Sequence, residues 1–144
     1  MAPNEILERL PYSPPFLFVD NLSEITENGA KGSYAFPEDA FFYEGHFKNY
    51  PVTPGVILTE CLAQIGVVPI GIFLNKDLDP DHFQIRLTST AVDFFLPVFP
   101  GERVEVSSEK MYFRFNKLKC KVDMRNTEGN LICRGEISGM LGKK

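Results

Sequence analysis

One of the chain's two histidines, His46, lies in the stretch Gly45-His46-Phe47-Lys48-Asn49-Tyr50-Pro51-Val52, and a Thr53-Pro54-Gly55 helix start follows it. The first turns of that apolar helix carry a single carboxylate, Glu60. Imidazole is the side chain best suited to move a proton near neutral pH. A carboxyl group held among apolar neighbours keeps its proton more readily than one in water and can serve as an acid. A helix N-terminus offers unpaired N–H groups and the positive end of its dipole to a developing oxyanion. A base, an acid and an oxyanion-binding helix start are the parts needed to remove water from an activated acyl group.

Each residue taken alone has a plainer reading. His46 would be a hydrogen-bonded loop histidine, Glu60 a buried carboxylate with a local partner, and Gly55 a loop glycine. Gln64, four residues after Glu60 and on the same helical face, either orients that carboxyl or is ordinary polar packing. Their joint spacing favours the catalytic reading. His82 lies beside Asp79 and Asp81 without a second His or a Cys nearby, so it reads as a surface residue and no metal site is expected.

The elements that must hold these groups can be outlined. Asn4–Leu10 reads as a short helix with Asn4 as its N-cap and Ile6, Leu7 and Leu10 on one side. Pro11, Pro14 and Pro15 force an extended segment after it. Phe16–Thr26 reads as a strand, Asn28-Gly29 as a turn and Ala30–Phe36 as the antiparallel partner. Pro37–Thr53 is too long for an ordinary connector and reads as a functional loop. The helix after it opens with Pro54 at its first position and is expected to end near Pro69, although apolar residues continue to Leu74.

The second half reads as β. Phe83–Val98 predicts one or two strands, and Arg103–Phe115 follows the turn Phe99-Pro100-Gly101-Glu102. Lys117, Lys119, Lys121 and Asp123 alternate with Leu118, Cys120, Val122 and Met124, the pattern of a half-exposed antiparallel strand. Leu131–Leu141 is the last strand. One buried helix and about six strands, four of them after the helix, predict a single α+β domain over residues 1–144, its curved antiparallel sheet wrapped around the helix. Open sheet edges favour edge-to-edge pairing of two protomers.

Composition narrows the classes. With 44% hydrophobic and 24% charged residues, the 144-residue chain has the balance of a soluble globular domain. A net charge of -4 argues against a nucleic-acid binder. Cys61, Cys120 and Cys133 form no CxxC pair and read as buried thiols of a reducing cytoplasm. The run from Pro54 to Leu74 is about long enough to span a bilayer. Glu60, Gln64 and Pro69 interrupt it, so a buried core helix is expected instead of a membrane span. The mixed charge of the first ten residues predicts no cleavable signal peptide. Most of the thirteen Phe residues, with Phe41, Phe42, Phe94 and Phe95 among them, are expected in the core, some lining an acyl tunnel.

Gly45-His46-Phe47, Pro51, Pro54-Gly55-Val56, Glu60 and Ala63-Gln64 resemble the signature of the 3-hydroxyacyl-ACP dehydratases of fatty-acid synthesis, FabZ type. Leu10-Pro11, Pro15-Phe16-Leu17, Val19-Asp20, Pro97-Val98 and Pro100-Gly101-Glu102 extend the resemblance over nearly the whole chain. It implies a hot-dog fold and a dimer or trimer of dimers, with no metal or organic cofactor. It also implies His46 from one subunit as base and Glu60 from the other as acid. Gly55, at the helix start with Val56, would present its N–H to the thioester carbonyl, and Gln64 would complete the site. Glu at position 60, where isomerase-type relatives carry Asp, implies dehydration without double-bond isomerisation.

The implied partner is an acyl carrier protein, with Arg114, Lys117, Lys119 and Lys121 as its dock or else as a solvated strand face. The chain departs from the family at Tyr12-Ser13-Pro14, Lys48-Asn49-Tyr50 and Asp93-Phe94, which points to a specialised acyl chain such as a polyene pigment tail. Two rivals stand beside this reading: a hot-dog acyl thioesterase, and a non-catalytic acyl-ACP-binding partner subunit.

Overall fold

A computed structural model describes residues 1–144. The elements run α1 (Pro3–Arg9), β1 (Asn21–Ile25), β2 (Gly29–Ala35), a 3-10 turn (Phe41–Glu44), α2 (Gly55–Gly66), α3 (Val68–Leu74), β3 (Phe83–Phe94), β4 (Arg103–Arg114), β5 (Lys117–Asn126) and β6 (Leu131–Lys143). All six strands join one antiparallel sheet in the order β1-β2-β4-β5-β6-β3. Helix α2 lies against the inner face of β2, β4 and β5. On β5 the alternation works as expected, with Leu118, Cys120, Val122 and Met124 buried against the core and the residues between them facing outward.

The apolar run Gly55–Leu74, of mean hydropathy 2.0, is 72% buried over its most apolar stretch. It is divided at Val67, not near Pro69 as the sequence suggests. Pro69 sits in the first turn of α3, where its missing N–H costs nothing, and the Val67 N–H closes α2 on the Ala63 carbonyl at 3.0 Å.

Other boundaries also differ from expectation. Helix α1 begins at Pro3 with Ala2 as its cap, so Asn4 lies inside the first turn. Helix α2 begins at Gly55 with Pro54 as its cap, one residue later than expected. The strand from residue 83 ends at Phe94. Residues 16–20 are not strand: β1 starts only at Asn21, and the Phe18 N–H and the Phe16 carbonyl are hydrogen-bonded to the Gln64 side chain of α2. Phe41, Phe94 and Phe95 are about half exposed and are not core, whereas Phe42 packs on the core cluster.

Candidate active site

The loop between β2 and α2 is folded around His46. The Val52 N–H donates to the His46 carbonyl at 2.9 Å, and the His46 ring answers through Nδ1 to the Val52 carbonyl, also at 2.9 Å. A carbonyl can only accept, so Nδ1 carries a hydrogen, and in the neutral ring Nε2 is the nitrogen with the free lone pair. The ring is half-buried and stacks on Phe47, centroid to centroid 4.0 Å.

The start of α2 is held open. Thr53 gives its N–H to Val98 and shares a 2.6 Å hydrogen bond with the Tyr43 hydroxyl, so its side chain does not cap the helix. The N–H groups of Gly55 and Val56 find no backbone acceptor and stand as free donors at the positive end of the helix. The Phe94 ring closes over Gly55 so tightly that a Cβ there would come within 3.2 Å of Cζ. A cleft of about 350 Å³ lies at this point, lined by Thr53, Gly55, Leu58, Phe94, Phe95 and Leu96.

Glu60 is half-buried further along α2, and its Oε2 accepts from Gln64 Nε2 at 2.9 Å. Gln64 is fully buried. Its Oε1 accepts from the Phe18 N–H at 2.8 Å, and Nε2 also donates to the Phe16 carbonyl at 3.1 Å. Burial, and next the charge of Glu60, push the Tyr12 phenol up to about 12, so Tyr12 stands within electrostatic reach of the carboxyl and stays protonated. His46 and Glu60 each have their own partner and share no hydrogen bond within the chain.

The expected basic face is divided. Arg114 and Lys117 oppose each other across the β4–β5 hairpin, and the Arg114 guanidinium lies 4.5 Å over the Tyr112 ring. Lys119 is paired with Glu136 at 3.2 Å, and Lys121 stands in register with both Glu109 and Glu136. At the hairpin end neither Arg114 nor Lys117 has a carboxylate in register. His82 is exposed and paired with Asp79 at 2.8 Å.

Sequence reasoning missed Val52 as the group that fixes the His46 tautomer, Phe94 as the cover of Gly55, and Tyr12 as a neighbour of Glu60. Val52 acts through its backbone and leaves no pattern, while Tyr12 and Phe94 are visible in the sequence only as departures from the family motif, with Phe94 also among the Phe residues expected in core or tunnel.

A buried helix sheathed by one antiparallel sheet, with an uncapped N-terminus, a carboxylate on its flank and a histidine in the loop before it, defines a hot-dog-fold protein. The family model described as the FabA-like domain matches residues 10–136. The chain belongs to that FabA-like family, and within it to the FabZ type. It is 35% identical over 143 residues to the 3-hydroxyacyl-[acyl-carrier-protein] dehydratase FabZ of Clostridium perfringens, covering 96% of this chain and 97% of that one. Among solved structures it resembles the dehydratase heterocomplex ApeI:P from Xenorhabdus doucetiae, with a TM-score of 0.80 at 13% identity over 100% of this chain and 93% of that one. A mutant thioesterase PA1618 from Pseudomonas aeruginosa shares the fold with a TM-score of 0.70 at 8% identity, over 100% and 96% of the two chains.

Proposed function

We propose that this chain is a cytoplasmic 3-hydroxyacyl-ACP dehydratase, which eliminates water to give a trans-2-enoyl-ACP. His46 Nε2 takes the α-proton of the thioester, and the electrons move onto its carbonyl oxygen. The Gly55 and Val56 N–H groups hold that oxygen as it gains charge, a contribution of about 3 kcal/mol to the barrier. The double bond then forms between C2 and C3, and Glu60 protonates the departing 3-hydroxyl so that it leaves as water. His46 ends as imidazolium and Glu60 as carboxylate, and proton return resets the pair.

The observation that carries this reading is the fixed tautomer of His46, whose Nδ1 bond to Val52 leaves Nε2 free as a base. The family supplies the substrate class, an acyl chain on the phosphopantetheine arm of a carrier protein.

The assembly is a dimer at least, a homodimer or trimer of dimers, with His46 of one protomer serving Glu60 of the other. Support comes from β3, a largely exposed edge strand that ends at Phe94 and is followed by Phe95 and Leu96, all three exposed and lining the cleft at Gly55. The carrier protein docks at Arg114 and Lys117, with Lys119 and Lys121 as weaker members because glutamates face them. The substrate belongs to fatty-acid synthesis or to a specialised polyene or pigment chain. For the specialised chain, the departures from the family motif stand at the site: Tyr12 is near Glu60, and Phe94 lies on Gly55.

The test is single-turnover conversion of a short 3-hydroxyacyl-ACP, followed by mass spectrometry, beside His46→Ala and Glu60→Gln. Loss of water by the wild type and by neither variant is the expected result. Free acid in place of enoyl product would make the protein a thioesterase. Tight acyl-ACP binding with no product would make it a binding subunit that needs a dehydratase-like partner.

A further inference from the structure

The Gln64 amide is clamped from outside the helix that bears it. The Phe18 N–H can only donate and the Phe16 carbonyl can only accept, so Oε1 must face the first and Nε2 the second. A flipped amide would set N–H against N–H and oxygen against oxygen in a fully buried place, at the full cost of unsatisfied polar groups. The orientation is therefore set by the extended segment of residues 16–18, independently of Glu60. No buried side-chain polar atom is left without a partner in this arrangement. The Cys61 thiol adds to the clamp by donating to the Phe18 carbonyl at 3.4 Å.

The second Nε2 hydrogen then points at Glu60 Oε2, 2.9 Å away. A fixed donor faces Oε2 whether the carboxyl is ionised or neutral, and in the neutral acid the carbonyl oxygen is the stronger acceptor, so the proton is favoured on Oε1. We propose that Gln64 is a positioning residue which reserves Oε2 as an acceptor, so that the proton Glu60 delivers to the leaving hydroxyl is carried on Oε1. The inference rests on the reading of Glu60 as the acid and adds which oxygen acts and what enforces it. It also gives residues 16–18 a role in the reaction, since they hold the amide that holds the acid. Tyr12 stays protonated next to Glu60 and adds no competing negative charge.

Two variants of the full-length protein separate positioning from anchoring. Gln64→Leu removes both the acceptor for Phe18 and the donor for Glu60. Gln64→Glu keeps an acceptor for the Phe18 N–H but offers at most one O–H to two acceptors, the Phe16 carbonyl and Glu60. Steady-state kinetics with 3-hydroxyacyl-ACP would be read beside hydrogen exchange at the Phe18 amide. In Gln64→Leu, kcat is expected to fall on the order of 100-fold with KM nearly unchanged, the cost of a misplaced reacting group, while Phe18 exchange accelerates. In Gln64→Glu, kcat is expected to fall roughly tenfold or more although Phe18 stays protected.

Wild-type kcat in Gln64→Glu would overturn the inference, as would a rise in KM alone, which would make Gln64 a substrate contact. Should Gln64→Leu fail to fold, the Gln64→Glu result decides. An active wild type with a dead Glu60→Gln variant and normal Gln64 variants sinks this inference only. A wild type that eliminates no water sinks the dehydratase reading and the inference with it.

Discussion

Tyr43 and Thr53 form a buried hydroxyl pair directly before the helix that carries the proposed chemistry. Thr53 is the residue type that caps helices well, yet its oxygen is turned to Tyr43 and away from the first turn of α2. That choice leaves the Gly55 and Val56 N–H groups free for a ligand. Tyr43→Phe removes the partner and strands the Thr53 hydroxyl, at a cost of about 1–2 kcal/mol. The melting temperature should drop by roughly 3–6 °C for a domain of this size. Calorimetry of the variant checks this, and an unchanged melting temperature would mean that Thr53 finds another partner at no loss.

At the scale of elements, β3 depends on one close approach. Gly135 of β6 lies opposite Val92, and a Cβ added to it would run into the Ala91 carbonyl and come within 2.8 Å of the Val92 Cα. These are backbone atoms, so relief requires β3 to move away from β6. Gly135→Ala should therefore destabilise by about 2–3 kcal/mol, measured by urea unfolding. The loss should be accompanied by faster amide exchange along β3, and protection retained there would contradict the mechanism.

Such contacts mark where sequence reading stops. The β5 strand was legible because one of its faces meets the core and the other meets water, which writes a period of two into the chain. The candidate residues could be named from the sequence because His46, Gly55 and Glu60 lie within one short stretch. Residues 16–20 differ from the expected strand because their apolar composition suits a ladder, while the Phe16 carbonyl and the Phe18 N–H are met by the side chain of Gln64, far along the chain. The division at Val67 was hidden for a different reason. Apolar residues continue through it unchanged, and Pro69 can as easily open a helix as close one.

Over the whole molecule, the core holds three free thiols, one on the helix and two on the sheet. Cys61 on α2, Cys120 on β5 and Cys133 on β6 are fully buried and free. Burial pushes the Cys120 and Cys133 thiols from 9.0 up to about 12, and pushes Cys61 well above its ordinary value. It acts in the same direction on Tyr34, which reaches about 12. The folded protein thus keeps protons that the unfolded chain gives up as pH rises past about 9 for the thiols and about 10 for the phenols.

Stability from these groups is complete below pH 9 and is lost between there and about pH 12, since the unfolded state binds fewer protons throughout that window. Each fully buried thiol should contribute a decline of about 1.4 kcal/mol per pH unit. Urea midpoints measured from pH 7 to pH 11 should therefore stay level at first and then fall steeply. Cys120→Ala should make that fall shallower while lowering the midpoint at neutral pH only through the lost packing of one sulfur. A midpoint that stays level to pH 11 would mean that the thiols ionise within the folded core, and that the seal between helix and sheet is looser than their burial implies.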